Sequence, residues 1–158
     1  MKKIIIGADG SGYELKEAVK NYLESEGIEC VDVGALSIDD GKPYYDTARD
    51  LAKAIQRKEF EKGLLFCGTG MGMSIVANKF KGIYASCVES VYSATKCRAI
   101  NNANVLCMGG FILGSDLAIN MVKAFLTTSI TEGMPEKFHD FLKDTYVKIQ
   151  QIDEDCCK

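Results

Sequence analysis

Leu64-Leu65-Phe66-Cys67-Gly68-Thr69-Gly70-Met71-Gly72-Met73-Ser74 decides how this chain is read. An apolar run ends in a cysteine, a glycine-rich turn follows at once, and the residues after the turn can start a helix. In a parallel α/β sheet such a junction lies at the carboxyl end of a strand, where ligands bind. Its backbone N–H groups and the next helix N-terminus can hold an anion or a developing oxyanion. Cys67 stands at the mouth of that junction, as a nucleophile or a base would. The competing reading is a buried, inert cysteine ahead of an ordinary strand-to-helix turn.

Working outward, the same alternation recurs. Residues 3–7 form a short, β-branched apolar run suited to a strand buried on both faces. Ala8-Asp9-Gly10-Ser11-Gly12 turns the chain into a helix over about 13–26, with Leu15, Val19, Tyr22 and Leu23 on one stripe and Gly27 as its stop. A strand over 28–33 and a polar loop over 35–42 lead to a helix over 45–56, which places Ala48, Leu51, Ala52 and Ile55 inward. After the strand at 63–67 come a helix over 71–80, a strand over 83–88, a helix over 90–100 and a strand over 105–108. Helices over 114–128 and 135–151 close the chain, the last opening at Pro135. Five strand–helix alternations predict a Rossmann-like three-layer α/β sandwich: a five-stranded parallel sheet with helices on both faces. Residues 1–158 read as a single domain. The segment 133–152 reads as a helical arm that the core does not need and that packs on a partner subunit.

Composition narrows the function. The chain has 158 residues, 47% of them hydrophobic and 26% charged, with a net charge of −3. With no basic block, nucleic acid is not the expected partner. No apolar run approaches the ~20 residues of a membrane span, and the N-terminal run is too short for a signal peptide, so a cytoplasmic protein is expected. There are seven cysteines but no Cys-x-x-Cys pair, and His139 is the single histidine, which argues against a zinc site. Cys30, Cys87 and Cys107 fall in strand-like runs and read as core. Cys97 reads as helical, and Cys156 and Cys157 as a frayed tail. The glycine spacings fit no nucleotide motif: Gly68-x-Gly70-x-Gly72 lacks dinucleotide spacing, and no Gly-Lys-Ser/Thr is present. A cysteine after the third strand and an aspartate, Asp9, after the first remain at the same end of the sheet. Asp9 reads either as a substrate ligand or as a helix cap.

These stretches resemble the ribose-5-phosphate isomerase B and galactose-6-phosphate isomerase family of aldose–ketose isomerases. The matching residues are Ile6-Gly7-Ala8-Asp9, Gly12-Tyr13-Glu14-Leu15-Lys16, the run from Cys67 to Ser74, Ala77-Asn78-Lys79 with Gly82, Asn101-x-Ala103-Asn104-Val105-Leu106, and Gly109-Gly110. The resemblance implies that Cys67 removes the proton beside the carbonyl and that an enediolate forms. Thr69 would act on the same oxygens. It further implies substrate contacts from Asp9, Gly10, Ser11, Gly68, Gly70, Met71, Gly72, Met73, Ser74 and Asn101. It implies a small sugar or sugar phosphate as substrate, no metal or organic cofactor, and a homo-oligomer, dimer or tetramer, whose site is built from two subunits. A thiolate is a competent base, and a helix N-terminus favours its charged form.

The departures from the family pattern carry as much information. Gly10 and Ile100 stand where the family carries histidines, the second of which helps to open the sugar ring. Phe111 stands where an arginine is expected, and the C-terminal arginines that hold phosphate are gone. Lys137, His139 and Lys143 are the stand-ins near them. Isoleucine can neither donate nor accept a proton. The expectation is therefore an isomerase for a substrate other than ribose 5-phosphate, one that arrives open-chain, such as a tetrose phosphate. The alternative is a weakly active or non-catalytic sugar-binding subunit completed by a related chain.

Overall fold

The structure, a computed structural model, describes residues 2–156. In chain order the elements are β1 (Lys3–Ala8), α1 (Tyr13–Ser25), β2 (Glu29–Asp32), α2 (Tyr44–Gln56), β3 (Gly63–Cys67), α3 (Met71–Ala77), β4 (Ala85–Cys87), α4 (Val91–Ala99), β5 (Val105–Gly109), α5 (Ser115–Thr127) and α6 (His139–Cys156). Single 3₁₀ turns at Gly10–Gly12 and Glu136–Phe138 precede α1 and α6. All strand pairings are parallel, and the order across the sheet is β2-β1-β3-β5-β4.

The order explains the burial. β1, β3 and β5 fill the middle and must be apolar on both faces. Ile4, Ile5, Ile6, Leu64, Leu65, Phe66, Val105, Leu106 and Met108 are fully buried. Residues alternate between two cores. Ile4, Ile6, Leu64, Phe66 and Leu106 meet α1, α4 and α5, whereas Ile5, Leu65, Val105 and Cys107 meet α2 and α3. β2 and β4 are the edges, so Cys30 and Cys87, expected in the core, are only half-buried, and Cys107 alone of the three is enclosed. Cys97 is buried in α4 as expected. Cys156 belongs to the end of α6 rather than to a frayed tail, and Cys157 lies outside the described residues.

Two helices differ from their expected extents. α3 spans seven residues, not ten: it ends at Asn78, whose N–H still donates to the Ser74 carbonyl while its side-chain amide bonds both backbone groups of Ala85 at the start of β4. The arm after Pro135 makes a 3₁₀ turn before α6. It rests on the residues ahead of β4 through the Tyr84–Tyr146 ring pair and through Asp153, which accepts from the Gly82 N–H and the Tyr84 hydroxyl. Leu142 is buried there, while Phe141, Val147 and Ile152 stay exposed. No helix among the described residues is long and apolar enough to cross a membrane.

Candidate active site

Because every strand runs the same way, Asp9 after β1 and Cys67 ending β3 reach the same end of the sheet. The switch point lies between these two strands, since β1 passes to β2 on one side and to β3 on the other. The 3₁₀ turn after Asp9 packs hard on the end of β3: a Cβ on Gly12 would lie 2.4 Å from the Phe66 carbonyl carbon. The Asp9 N–H donates to the Phe66 carbonyl at 3.2 Å. Its carboxylate accepts from the Gly12 N–H at 3.0 Å. Asp9 is thus both a cap and a lining residue of the cleft at this end. Burial pushes its carboxyl up, against the opposing pull of the Gly12 and Ser11 N–H groups.

The turn after Cys67 is held from three sides. Gly70 adopts φ +78°, the left-handed region open to glycine, and a Cβ there would meet the Met108 backbone at 3.0 Å and Cys87 Sγ at 2.9 Å. This bend aims the Gly70 N–H at Cys67 Sγ, 3.0 Å away. The bond strengthens as negative charge gathers on the sulfur. Cys87 and Cys107 share this sheet face, but burial pushes both thiols up, with further contributions from the neighbouring cysteines. Cys87 Sγ instead donates to the Thr69 carbonyl at 3.5 Å. Of the three sulfurs, Cys67 is the one that receives a backbone N–H. Because α3 is so short, anion binding here relies on individual N–H groups. Among the first-turn amides of α3, that of Met71 donates to Thr69 Oγ1, and those of Gly72 and Met73 have no acceptor in their own helix, which leaves them for an oxyanion.

Beside this turn lies a cleft of about 610 Å³. Asp9, Gly10, Ser11 and Glu14 form one side, the 38–44 segment another, and Gly110 with Phe111 the third. The third wall joins the cysteine directly, since the Gly110 N–H donates to the Cys67 carbonyl and the Phe111 N–H to the Gly68 carbonyl. The Phe111 ring lies over Gly68, where a Cβ would meet it at 2.6 Å. Tyr44 lies against Gly72 in the same way, at 2.9 Å.

Several expected site residues turn their side chains away from the cleft. Met73 is fully buried in the core under α2 and α3. The Ser74 hydroxyl donates to the Ala85 carbonyl at 3.4 Å and so braces β4. Asn101 lies between α4 and β5, at the amino end of the strands and away from Cys67. Its motif neighbour Asn104 is structural, bridging Tyr84 N–H and Gly82 C=O. Lys137, His139 and Lys143 sit on the C-terminal arm and do not line the cleft, and the His139 ring bonds the Met134 carbonyl instead. Thr69 is exposed, with its Oγ1 accepting from the Met71 N–H at 3.4 Å. The sequence reading missed the 38–44 wall. The polar loop carried no motif, and its closeness to Gly10 is a tertiary fact: a Cβ on Gly10 would lie 2.6 Å from the Ile38 carbonyl oxygen. With the loop so placed, no side chain fits at position 10.

Comparison with known proteins fits this geometry. The model of the Ribose/Galactose Isomerase family matches residues 4–140. The chain belongs to that family. It is 51% identical over 152 residues, 96% of each chain, to a 4-deoxy-4-sulfo-D-erythrose isomerase of Clostridium sp. strain MSTE9. It is 42% identical over 126 residues, 78% of this chain and 83% of the other, to D-erythrulose-4-phosphate isomerase 2 of Mycolicibacterium smegmatis. The ribose-5-phosphate isomerase B of Clostridium thermocellum superposes with a TM-score of 0.87 at 33% identity, covering 97% of this chain and 98% of that one. The protein is an aldose–ketose isomerase of the sugar-phosphate isomerase family, and its fold is that of the family.

Proposed function

We propose that the protein interconverts a four-carbon aldose and its ketose, that the substrate carries a sulfonate or phosphate on C4, and that Cys67 is the base. The observation that carries the four-carbon assignment is the Phe111 ring lying over Gly68 beside the cysteine turn. Where the family places an arginine for phosphate, this chain has an apolar plane that shortens the space and removes a cation. A sugar whose C4 holds the anion has no C4 hydroxyl with which to close a five-membered ring. It arrives open-chain, so the loss of the ring-opening histidine at Ile100 costs nothing. The two relatives named for four-carbon sugars support the same reading.

In this mechanism the Cys67 thiolate takes the proton from C2, the electron pair moves into the carbonyl, and an enediolate forms. The proton returns to C1, while the hydroxyl hydrogen passes from O2 to O1. The N–H groups of the turn, with Thr69, hold the enediolate oxygens. Asp9 and Ser11 orient the hydroxyls from across the cleft. A second copy of the chain supplies Asn101, since no single chain brings that residue to Cys67.

Incubation with 4-deoxy-4-sulfo-D-erythrose, D-erythrose 4-phosphate and ribose 5-phosphate in D2O tests this reading. Deuterium enters beside the carbonyl fastest with the four-carbon substrates, and Cys67→Ser lowers the rate by a factor of ~10²–10⁴. Equal or better turnover of the pentose overturns the four-carbon assignment. Exchange that survives Cys67→Ser overturns the base. No exchange with any substrate leaves the sugar-binding subunit.

A further inference from the structure

We propose, on the reading of Cys67 as the base, that Cys87 of β4 is a positioning residue that acts on Cys67 through the Thr69–Gly70 peptide group.

One peptide unit spans the two sulfurs. Its N–H, on Gly70, donates to Cys67 Sγ at 3.0 Å. Its carbonyl, on Thr69, accepts from Cys87 Sγ at 3.5 Å. Among the described residues no backbone N–H donates to that carbonyl, because α3 begins at Met71 and the Ser74 N–H goes to the Gly70 carbonyl instead. The unit is therefore oriented by Cys67 at one end and by Cys87 at the other. Turned over, it would present the Thr69 carbonyl oxygen to Cys67, and that oxygen repels the negative charge a base must carry. The two bonds also support each other: a donor on the carbonyl makes the N–H of the same peptide a stronger donor, by ~10–30% per bond.

Cys87 is well placed for this role. β4 is fixed on both sides, since Cys87 pairs with Cys107 of β5, and the Asn78 side-chain amide takes both backbone groups of Ala85. A Cβ on Gly70 would lie 2.9 Å from Cys87 Sγ, so the sulfur reaches the corner only because position 70 is glycine. On its other side the corner rests on β5, where a Cβ on Gly109 would meet Thr69 Cα at 2.9 Å. Burial, with Cys67 and Glu89 adding to it, pushes the Cys87 thiol up, which keeps the proton that the Thr69 carbonyl accepts. A thiol is a weak donor, so the bond orients and polarises the peptide rather than holding the turn together.

The test compares wild type, Cys87→Ser, Cys87→Val and Cys87→Ala in two measurements. The first is the rate at which iodoacetamide alkylates Cys67 at neutral pH, read by peptide mapping so that the other cysteines are scored apart. The second is kcat and KM on 4-deoxy-4-sulfo-D-erythrose. Serine keeps a donor, valine fills the space against Gly70 without one, and alanine answers the question if the valine variant fails to fold. The valine and alanine variants lose ~2–10-fold in both alkylation rate and kcat, the worth of one neutral hydrogen bond, with KM little changed. Cys87→Ser recovers most of both. A valine variant that matches wild type shows that Cys87 only fills space and overturns the proposal, as does an equal loss in the serine and valine variants. Slower turnover without slower alkylation overturns the coupling between the two sulfurs. Alkylation slowed with kcat unchanged supports that coupling and overturns the reading of Cys67 as the base. Alkylation needs no substrate, so the two failures are told apart.

Discussion

At the residue scale, the site trades stability for chemistry, and Asp9 shows it. Its carboxyl is pushed up by burial, so the charged form is the one that folding disfavours. For a group shifted in this direction, the stabilising contribution is complete below the unfolded value and disappears as pH rises through the folded one. At neutral pH the contribution is therefore absent, and the ionised carboxylate burdens the fold. The side-chain amide introduced by Asp9→Asn would keep an acceptor for the Gly12 N–H without the buried charge. This substitution is expected to hold or raise the thermal midpoint at pH 7, and to flatten the pH dependence of stability in the acid range. Isomerase activity should fall if Asp9 orients the substrate hydroxyls as proposed, because its charge is lost. Thermal melts between pH 3 and 7 beside steady-state rates check this. A lower midpoint at pH 7 would show that the cap dominates. The sequence offered both readings of Asp9 because cap and ligand use the same carboxylate, and burial adds a cost that no local pattern reveals.

At the scale of the elements, the least expected feature is Lys16, which lies inside α1 with no exposed surface. Helical periodicity marks Leu15, Val19 and Leu23 as inward and leaves the adjacent lysine unassigned. Glu17 of the same helix stands 3.0 Å from its Nζ, and its other partners lie outside α1. Nζ donates to Asp32 and to the Ala35 carbonyl, both at 2.6 Å, which ties α1 to the end of β2 and to the start of the loop that forms the 38–44 wall. Asp32 also accepts from the Gly34 N–H at 2.9 Å. Removing one partner of a buried pair strands the other charge, at a cost of ~3–5 kcal/mol. Lys16→Met should approach that loss in urea denaturation, moderated by Lys20, which stands 3.8 Å from the same carboxylate. Adding Asp32→Asn should recover part of the loss. A double variant no more stable than the single one would show that Lys16 acts through packing alone. The strand–helix alternation and the β3–α3 turn were legible because they rest on local apolar runs and glycine spacing. The Lys16 anchor and the early end of α3 at Asn78 were not, since both depend on partners 16 and 7 residues away that are met only in the folded chain.

At the scale of the whole molecule, one chain does not bring Asn101 to Cys67. Cys67 is at the carboxyl end of the sheet, and Asn101 is at the amino end. The surface fits a second copy. β4 pairs with β5 alone, and on its outer side the Asn78 amide takes both backbone groups of Ala85. Met71 and Ile75 of α3 and Tyr92 of α4 flank that edge, with exposures of 53%, 63% and 72%. Exposed apolar side chains clustered in this way mark a place where proteins pair. Under the proposed function, two copies related by a two-fold axis would make two equivalent sites, each drawing Cys67 from one chain and Asn101 from the other. Cys67→Ser and Asn101→Ala chains, each weak alone, can be co-expressed with different tags and the mixed oligomer isolated. In a mixed dimer one site carries both changes and the other carries neither, so about half of the wild-type activity should return. Chains that each held a whole site would give a mixed dimer no more active than the average of its parents. The recovered activity thus separates a shared site from a mere association of complete ones, which an oligomer mass alone does not do.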